Sequence, residues 1–195
     1  MKSLLHRTRS QRGFSMVEMM VTLAIAAIVG GMATASAVTA RRAYQGDGAM
    51  RLVMAQFNAA REMAITQRHL MELQFVGNNW VRIVRHETSG PNPTTILSSV
   101  TFESNVTFTL VAGVPDTPDA FGANSAVAFG LAQTVIFNTD GTLVDGNGQP
   151  LNGTVFLAMA GLPESARAVT IQGATGRVRG YRWIKTGAVT TWARV

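Results

Sequence analysis

Apolar positions along the chain change their period twice. Residues 14–40 are predominantly apolar, and from Met19 to Ala40 no side chain is charged. A helix of about 22 residues rising about 1.5 Å each spans about 33 Å, close to the thickness of a hydrocarbon core. Over residues 44–68 the pattern becomes periodic. Ala49, Val53, Phe57, Ala60 and Ala64 recur at steps of three and four, which predicts an amphipathic helix with one stripe packed on a sheet. Arg51, Arg61, Glu62 and Arg68 lie off that stripe. Gly46 and Gly48 fall between the two halves; at about 1 kcal/mol each relative to Ala, they are expected to bend or locally melt the helix.

Beyond residue 70 strand-like segments dominate. Residues 70–76 and 80–85 flank Gly77-Asn78-Asn79, a hairpin signal. Residues 86–99 read as loop, with Gly90-Pro91-Asn92-Pro93 as a breaker. Residues 100–111 read as one alternating strand, with Val100, Phe102, Val106, Phe108 and Leu110 on one parity. Residues 112–133, rich in Gly, Pro, Ala and Asp, read as a long loop, and short strands follow at 134–138, 143–144, 155–159, 168–172 and 177–184. The expected fold class is α+β: a long N-terminal helix, half membrane and half amphipathic, packed on an antiparallel β-sheet head of one sheet or two small ones.

The junction before the apolar run carries the most specific chemistry. Residues 1–13 hold Lys2, Arg7, Arg9 and Arg12 and no acid, a positive flank that stays cytoplasmic and leaves the C-terminal bulk outside. Glu18 nevertheless sits four residues inside the apolar stretch that starts at Phe14, and a carboxylate in a bilayer is costly enough to be a functional-site candidate. Two processing readings compete. Ordinary signal cleavage at Ala33-Thr34-Ala35 or Ala35-Ser36-Ala37 would discard the segment and release a soluble protein. Cleavage after Gly13 would keep it, with Phe14 as the new N-terminus and Glu18 at mature position five. Glu18 favours the second, because a disposable signal gains nothing from it. A carboxylate suits the positive end of a helix dipole, and in a bundle it could neutralise the terminal amine of a neighbouring subunit.

Gly13-Phe14-Ser15-Met16-Val17-Glu18 before an uncharged run resembles the class III signal of type IV pilins and pseudopilins. Met16 and Val17, where Leu and Ile are usual, leave the chemistry undisturbed. The resemblance implies a prepilin peptidase that cuts between Gly13 and Phe14 and N-methylates Phe14, with Glu18 registering subunits during assembly. Three further segments occur in the order seen in the GspH/FimT branch of pilin-like proteins. They are residues 60–65, residues 135–142, and Val169-Thr170-Ile171 followed by Gly176-Arg177-Val178-Arg179. The implied organisation is a cleaved leader (1–13), a transmembrane and assembly helix (14–40), its amphipathic continuation (41–69) and a β-rich head (70–195). Implied partners are other pilin or pseudopilin subunits, the prepilin peptidase, the inner-membrane assembly platform and, as an alternative, DNA. The implied location is the inner membrane, as a single-pass protein with a periplasmic head, and then the pilus or pseudopilus.

Charge and cysteine usage narrow this reading. Without the leader the chain has 13 basic and 11 acidic side chains, unevenly placed: residues 14–166 carry a net −4 and residues 167–195 a net +6. That split points to a binding surface at one end. The chain has no cysteine, so an exported head must rest on its core alone, without disulfides, thiolate metal sites or cysteine nucleophiles. No nucleotide, zincin or serine-hydrolase motif is present; His6 lies in the leader, and His69 and His86 stand at strand ends as surface or packing residues. An assembly protein is expected, with no catalytic role and no cofactor. Asp145-Gly146-Asn147-Gly148-Gln149 is faintly like a calcium loop, but it lacks the glycine at loop position six and the distal glutamate, and reads as a turn with no metal expected.

The tail interleaves cations with aromatics over residues 176–185. In a strand Arg177, Arg179 and Tyr181 share a face, and a bulge at Gly180 would bring Arg182 round to join them. Arginines fork onto phosphates, and Tyr181 or Trp183 could stack on bases, with Lys185 adding charge. The Gly176-Arg177-Val178-Arg179 segment resembles the GRxR motif with which FimT-type minor pilins of transformable bacteria bind DNA. The competing reading is an edge strand guarded by positive charges, or a patch meeting acidic neighbours in a filament.

Overall fold

The computed structural model describes residues 13–88, 93–102, 105–130, 135–186 and 189–195, without the side chains of residues 35, 36, 39, 185 and 186. Of the sequence expectations, the leader up to residue 12, the Gly90-Pro91-Asn92 breaker and the Lys185 side chain lie outside the described residues. The chain forms two compact units, Met1–Ala40 and Arg41–Val195. One helix, α1 (Met16–Gln67), contributes to both.

In the first unit Ser15 caps α1. Its hydroxyl accepts the Val17 amide at 3.3 Å, and its carbonyl accepts the Met19 amide at 3.1 Å. Met16–Thr34 has a mean hydropathy of 2.0 and is long and apolar enough to cross a membrane. Its large side chains are exposed, including Met20, Leu23, Ile25 and Ile28.

The second unit packs the rest of α1 with two antiparallel sheets. Strands β1 (Met71–Val76), β2 (Trp80–His86), β3 (Thr94–Thr101), β6 (Val135–Phe137) and β7 (Leu143–Val144) form one sheet in the order β3-β2-β1-β6-β7. The other contains β4 (Val106–Phe108), β5 (Val127–Ala128), β8 (Gly153–Met159), β9 (Leu162–Gln172), β10 (Arg177–Thr186) and β11 (Val189–Arg194); its order is β11-β10-β9-β8-β4, with β5 also on β8. The helical stripe behaves as its spacing predicts: Ala49, Val53, Phe57, Ala60 and Ala64 are buried among Met71, Leu73, Ile83, Phe137, Leu157 and Ile171. A second, smaller cluster of Phe156, Ala158, Ala166, Ala168, Tyr181 and Trp192 lies partly under the loop residues Val111, Val114 and Ala123.

Several expectations are corrected. The α1 helix is continuous through Gly46 and Gly48. A Cβ on Gly46 would fall 3.2 Å from the Ser165 carbonyl oxygen and 3.5 Å from Arg167 Cγ, so this glycine admits β9 rather than breaking the helix. The second half of the expected 86–99 loop is strand β3. The single strand expected at 100–111 is the end of β3 and, after the turn at Asn105, β4 in the other sheet. Phe102 and Phe108, which share a parity, do meet, with ring centroids 4.9 Å apart, but parity does not reveal which sheet a residue joins. Strand β11 was missed, and β5 lies inside the expected 112–133 loop.

Candidate functional site

At the N-terminal end, Gly13 and Phe14 precede the helix and are exposed. Glu18 occupies the first turn, three residues after the capping Ser15. The Ser15-x-x-Glu18 spacing is that of a capping box. Placed there, a carboxylate lies beside amides that lack helical acceptors, and it complements the dipole. Part of the cost of Glu18 in an apolar segment is thus offset within its own chain.

At the other end, residues far apart in sequence converge around Gly176. This glycine has φ +63°, and a Cβ there would lie 2.6 Å from both Arg61 Nε and the Gly141 carbonyl oxygen. Arg61 Nε donates to that same carbonyl at 3.2 Å. Gly141, at φ +83°, is equally tight, with a Cβ position 2.7 Å from Ile65 Cδ1. The helix segment 60–65, the turn after β6 and the turn before β10 therefore meet at one point. The glycine that opens the tail's Gly-Arg-x-Arg segment is required for packing.

Strand β10 pairs with β9 in unbroken register from Arg177↔Gln172 to Arg182↔Arg167. There is no bulge at Gly180. A Cβ on it would fall 2.9 Å from Met54 Sδ and 3.1 Å from Met50 Sδ, so the missing side chain makes room for the helix. In consequence Arg182 stays on the helix-facing side and is not brought to the face of Arg177, Arg179, Tyr181 and Trp183. Its Nη2 meets Asp47 Oδ2 at 2.5 Å. Asp47 Oδ1 also accepts Arg167 Nε at 2.6 Å. Arg167 is 1% exposed and donates further to the carbonyls of Glu164, Ala166 and Ala43. This Arg–Asp–Arg group turns two of the tail's cations inward onto one shared carboxylate.

The remaining face is dominated by Asp119, from the loop between β4 and β5. Its Oδ2 accepts Thr170 Oγ1 at 2.6 Å and the Tyr181 hydroxyl at 2.9 Å, and its Oδ1 pairs with Arg179 Nη1. Burial would raise the Asp119 pKa, but the hydroxyl bonds from Thr170 and Tyr181 and the adjacent guanidinium outweigh it and hold the carboxyl below the usual range. Burial, reinforced by the Asp119 carboxylate, pushes the Tyr181 phenol up. Trp183 packs edge-on against Trp192, with centroids 5.3 Å apart. Of the expected tail cations Arg177 alone, among those with described side chains, is exposed with no side-chain ion pair among the described residues.

Other candidates resolve into local structure. Asp145 Oδ1 accepts the amides of Asn147 and Gln149 at 2.8 and 2.9 Å, an Asx turn. His86 Nε2 lies 2.8 Å from Glu72 Oε2, and His69 Nδ1 lies 3.0 Å from the His86 carbonyl. The glutamate beside His86 sits on the paired strand, fourteen residues away, where linear spacing does not show it. Asp47, Asp119 and Arg167 were likewise missed: each is a lone charge whose partner is remote in sequence. Ser15 carried a readable signal in its spacing to Glu18.

A family model described as the prokaryotic N-terminal methylation motif matches residues 8–34. Among solved structures, the chain is similar to the crystal structure of the type IV minor pilin FimU of Pseudomonas aeruginosa. That likeness has 16% identity and a TM-score of 0.46, over 74% of this chain and 90% of the other. No curated protein matches. The motif match concerns the N-terminal segment only, and the head stands on its own geometry.

Proposed function

We propose that the chain is a minor type IV pilin or pseudopilin subunit of the GspH/FimT kind, anchored in a membrane by residues 14–40 and then assembled with other pilin-like subunits. The observation that carries this is the N-terminal junction: the methylation motif over residues 8–34, an exposed Gly13-Phe14 pair, and Glu18 in the first turn of a helix apolar enough to span a bilayer. Prepilin peptidase would cut between Gly13 and Phe14 and methylate Phe14, and the assembly platform would take up the processed chain with its head on the periplasmic side. The head contributes contacts, not chemistry. Intact-mass analysis of the protein purified from membranes tests the reading. A mass beginning at N-methylated Phe14 is expected; a chain beginning after Ala35 or Ala37 would mean an ordinary exported protein instead.

A second reading adds nucleic acid as a partner of the tail. It is favoured by Arg177 and Arg179 lying two apart on one face of β10, with Arg177 exposed, a spacing that suits successive phosphate contacts. Arg182, turned to Asp47, is no part of that face. The reading predicts salt-sensitive binding of duplex DNA that weakens on Arg177→Glu.

A further inference from the structure

The face that the second reading needs is partly occupied by the protein itself. Residues 111–123 cross one side of β9, β10 and β11 as a strap. Asp116 folds the strap on itself, its two carboxylate oxygens accepting the amides of Thr117 at 2.7 Å and Gly122 at 2.9 Å. Trp192 Nε1 donates to the Pro115 carbonyl at 2.9 Å, and Val111, Val114 and Ala123 pack on the cluster around Phe156 and Trp192. Asp119 then places one carboxylate among a threonine hydroxyl, a phenol hydroxyl and a guanidinium. Convergent donors of these types are what an oxyanion takes. The guanidinium is only half used: Arg179 Nε is buried and has no hydrogen-bond partner among the described residues. A phosphate or carboxylate in a forked contact would engage Nε and Nη together.

We propose that Thr170, Arg179 and Tyr181 form an oxyanion site for a nucleic-acid phosphodiester, beside the exposed Arg177, and that Asp119 is its intramolecular occupant. The strap is an autoinhibitory cover. While Asp119 is seated, Arg177 alone meets a phosphate; when the strap lifts, Arg179 joins it. The proposal rests on the second reading above. The apparent affinity of the two-arginine site is its intrinsic affinity multiplied by the open fraction, so loosening the latch strengthens binding by letting Arg179 add its contact to that of Arg177.

The test uses the full chain in neutral detergent and a fluorescein-labelled DNA duplex, with anisotropy read at several salt concentrations. Asp119→Asn keeps an oxygen for Thr170 and Tyr181 but removes the charge that holds Arg179. It should tighten binding at least about tenfold, and one newly engaged phosphate contact should steepen the log–log salt slope by about 0.9. Two controls separate this from a mere change in net charge. Glu164→Gln, an exposed acid near the start of β9, at the opposite end of the strand from the partner of Arg177, should leave affinity and slope near those of the wild type. Arg179→Gln in the Asp119→Asn background should abolish the gain. An equal gain from Glu164→Gln, or a gain that survives Arg179→Gln, overturns the proposal, as does equal affinity of wild type and Asp119→Asn. In that last case a wild type that still binds DNA through Arg177 leaves the second reading standing, whereas absence of binding by either protein sinks both. Inorganic phosphate as competitor distinguishes a site for the lone oxyanion, which it would empty at millimolar levels, from one that needs the polymer. Emptying by inorganic phosphate alone would overturn the nucleic-acid assignment.

Discussion

At Gly176 two requirements coincide, a φ of +63° and the absence of a Cβ beside Arg61 and the Gly141 carbonyl. Either excludes alanine; together they place Gly176→Ala among substitutions costing about 1–3 kcal/mol. Urea unfolding should show that loss. Arg61→Ala in the same background should return the part due to Arg61 but not the part due to φ. The neighbouring Arg177→Ala, at an exposed site, should stay within about 0.5 kcal/mol of wild type. A neutral Gly176→Ala would mean that the turn can reroute. Asp47 poses the opposite problem. It is shared by Arg167, which is nearly inaccessible, and Arg182, whose side chain is 39% exposed. Asp47→Ala strands a buried guanidinium and should cost about 3–5 kcal/mol. Arg182→Ala removes a half-exposed partner and should cost no more than about 1 kcal/mol. The same urea titrations would expose a mistaken assignment if the two variants proved equally stable.

Elements were legible where one period covers one packing environment. The stripe from Ala49 to Ala64 is such a case, as is the hairpin of β1 and β2, since both bury one face against a single core. The reading failed where a physical constraint runs across elements. Gly46 and Gly180 looked like a helix breaker and a strand bulge, but each is a place where helix and sheet approach too closely for a side chain. The tail looked like a free basic strand because Asp47 and Asp119, which pair with it, lie more than 55 residues earlier in the sequence. Residues 112–133 read as one long loop, yet their first half is tied down by Asp116, Asp119 and Pro115. That tie has a pH signature. The folded state holds the Asp119 carboxyl below its ordinary value near 4, so at acid pH the unfolded chain binds the extra proton and stability rises with pH. The contribution is complete above about pH 4 and lost as pH falls through the depressed folded value. Asp119→Asn should flatten that acid limb, leaving the shares of Asp140 and Glu87, whose carboxyls are also held low, by Thr142 and by Thr95 and Arg85 respectively. Acid titration followed by Trp fluorescence, with Trp192 beside the strap, reads the difference; identical limbs would mean Asp119 carries no linkage.

For the whole molecule, the two units put different demands on one helix. In the second unit α1 is held by a core that it helps to build, so its stability belongs to the head. In the first unit its apolar side chains are exposed to their surroundings, and what they need is lipid or other helices. Glu18 matters only there. If it served the helix alone, as the acid of a capping box, Glu18→Gln would be nearly silent, because glutamine fills that position equally well. If it pairs with the amine of a neighbouring subunit, the charge itself is required, and Glu18→Gln should block incorporation into filaments as fully as Glu18→Ala. Both variants should still be cut after Gly13 and accumulate in the membrane with heads as stable as wild type, because no residue of the second unit's core lies near position 18 in sequence. Fractionating sheared filaments from membranes, with the mass of each pool, separates the cases. Filaments that accept Glu18→Gln would reduce Glu18 to a helix cap and remove the assembly contact from the mechanism.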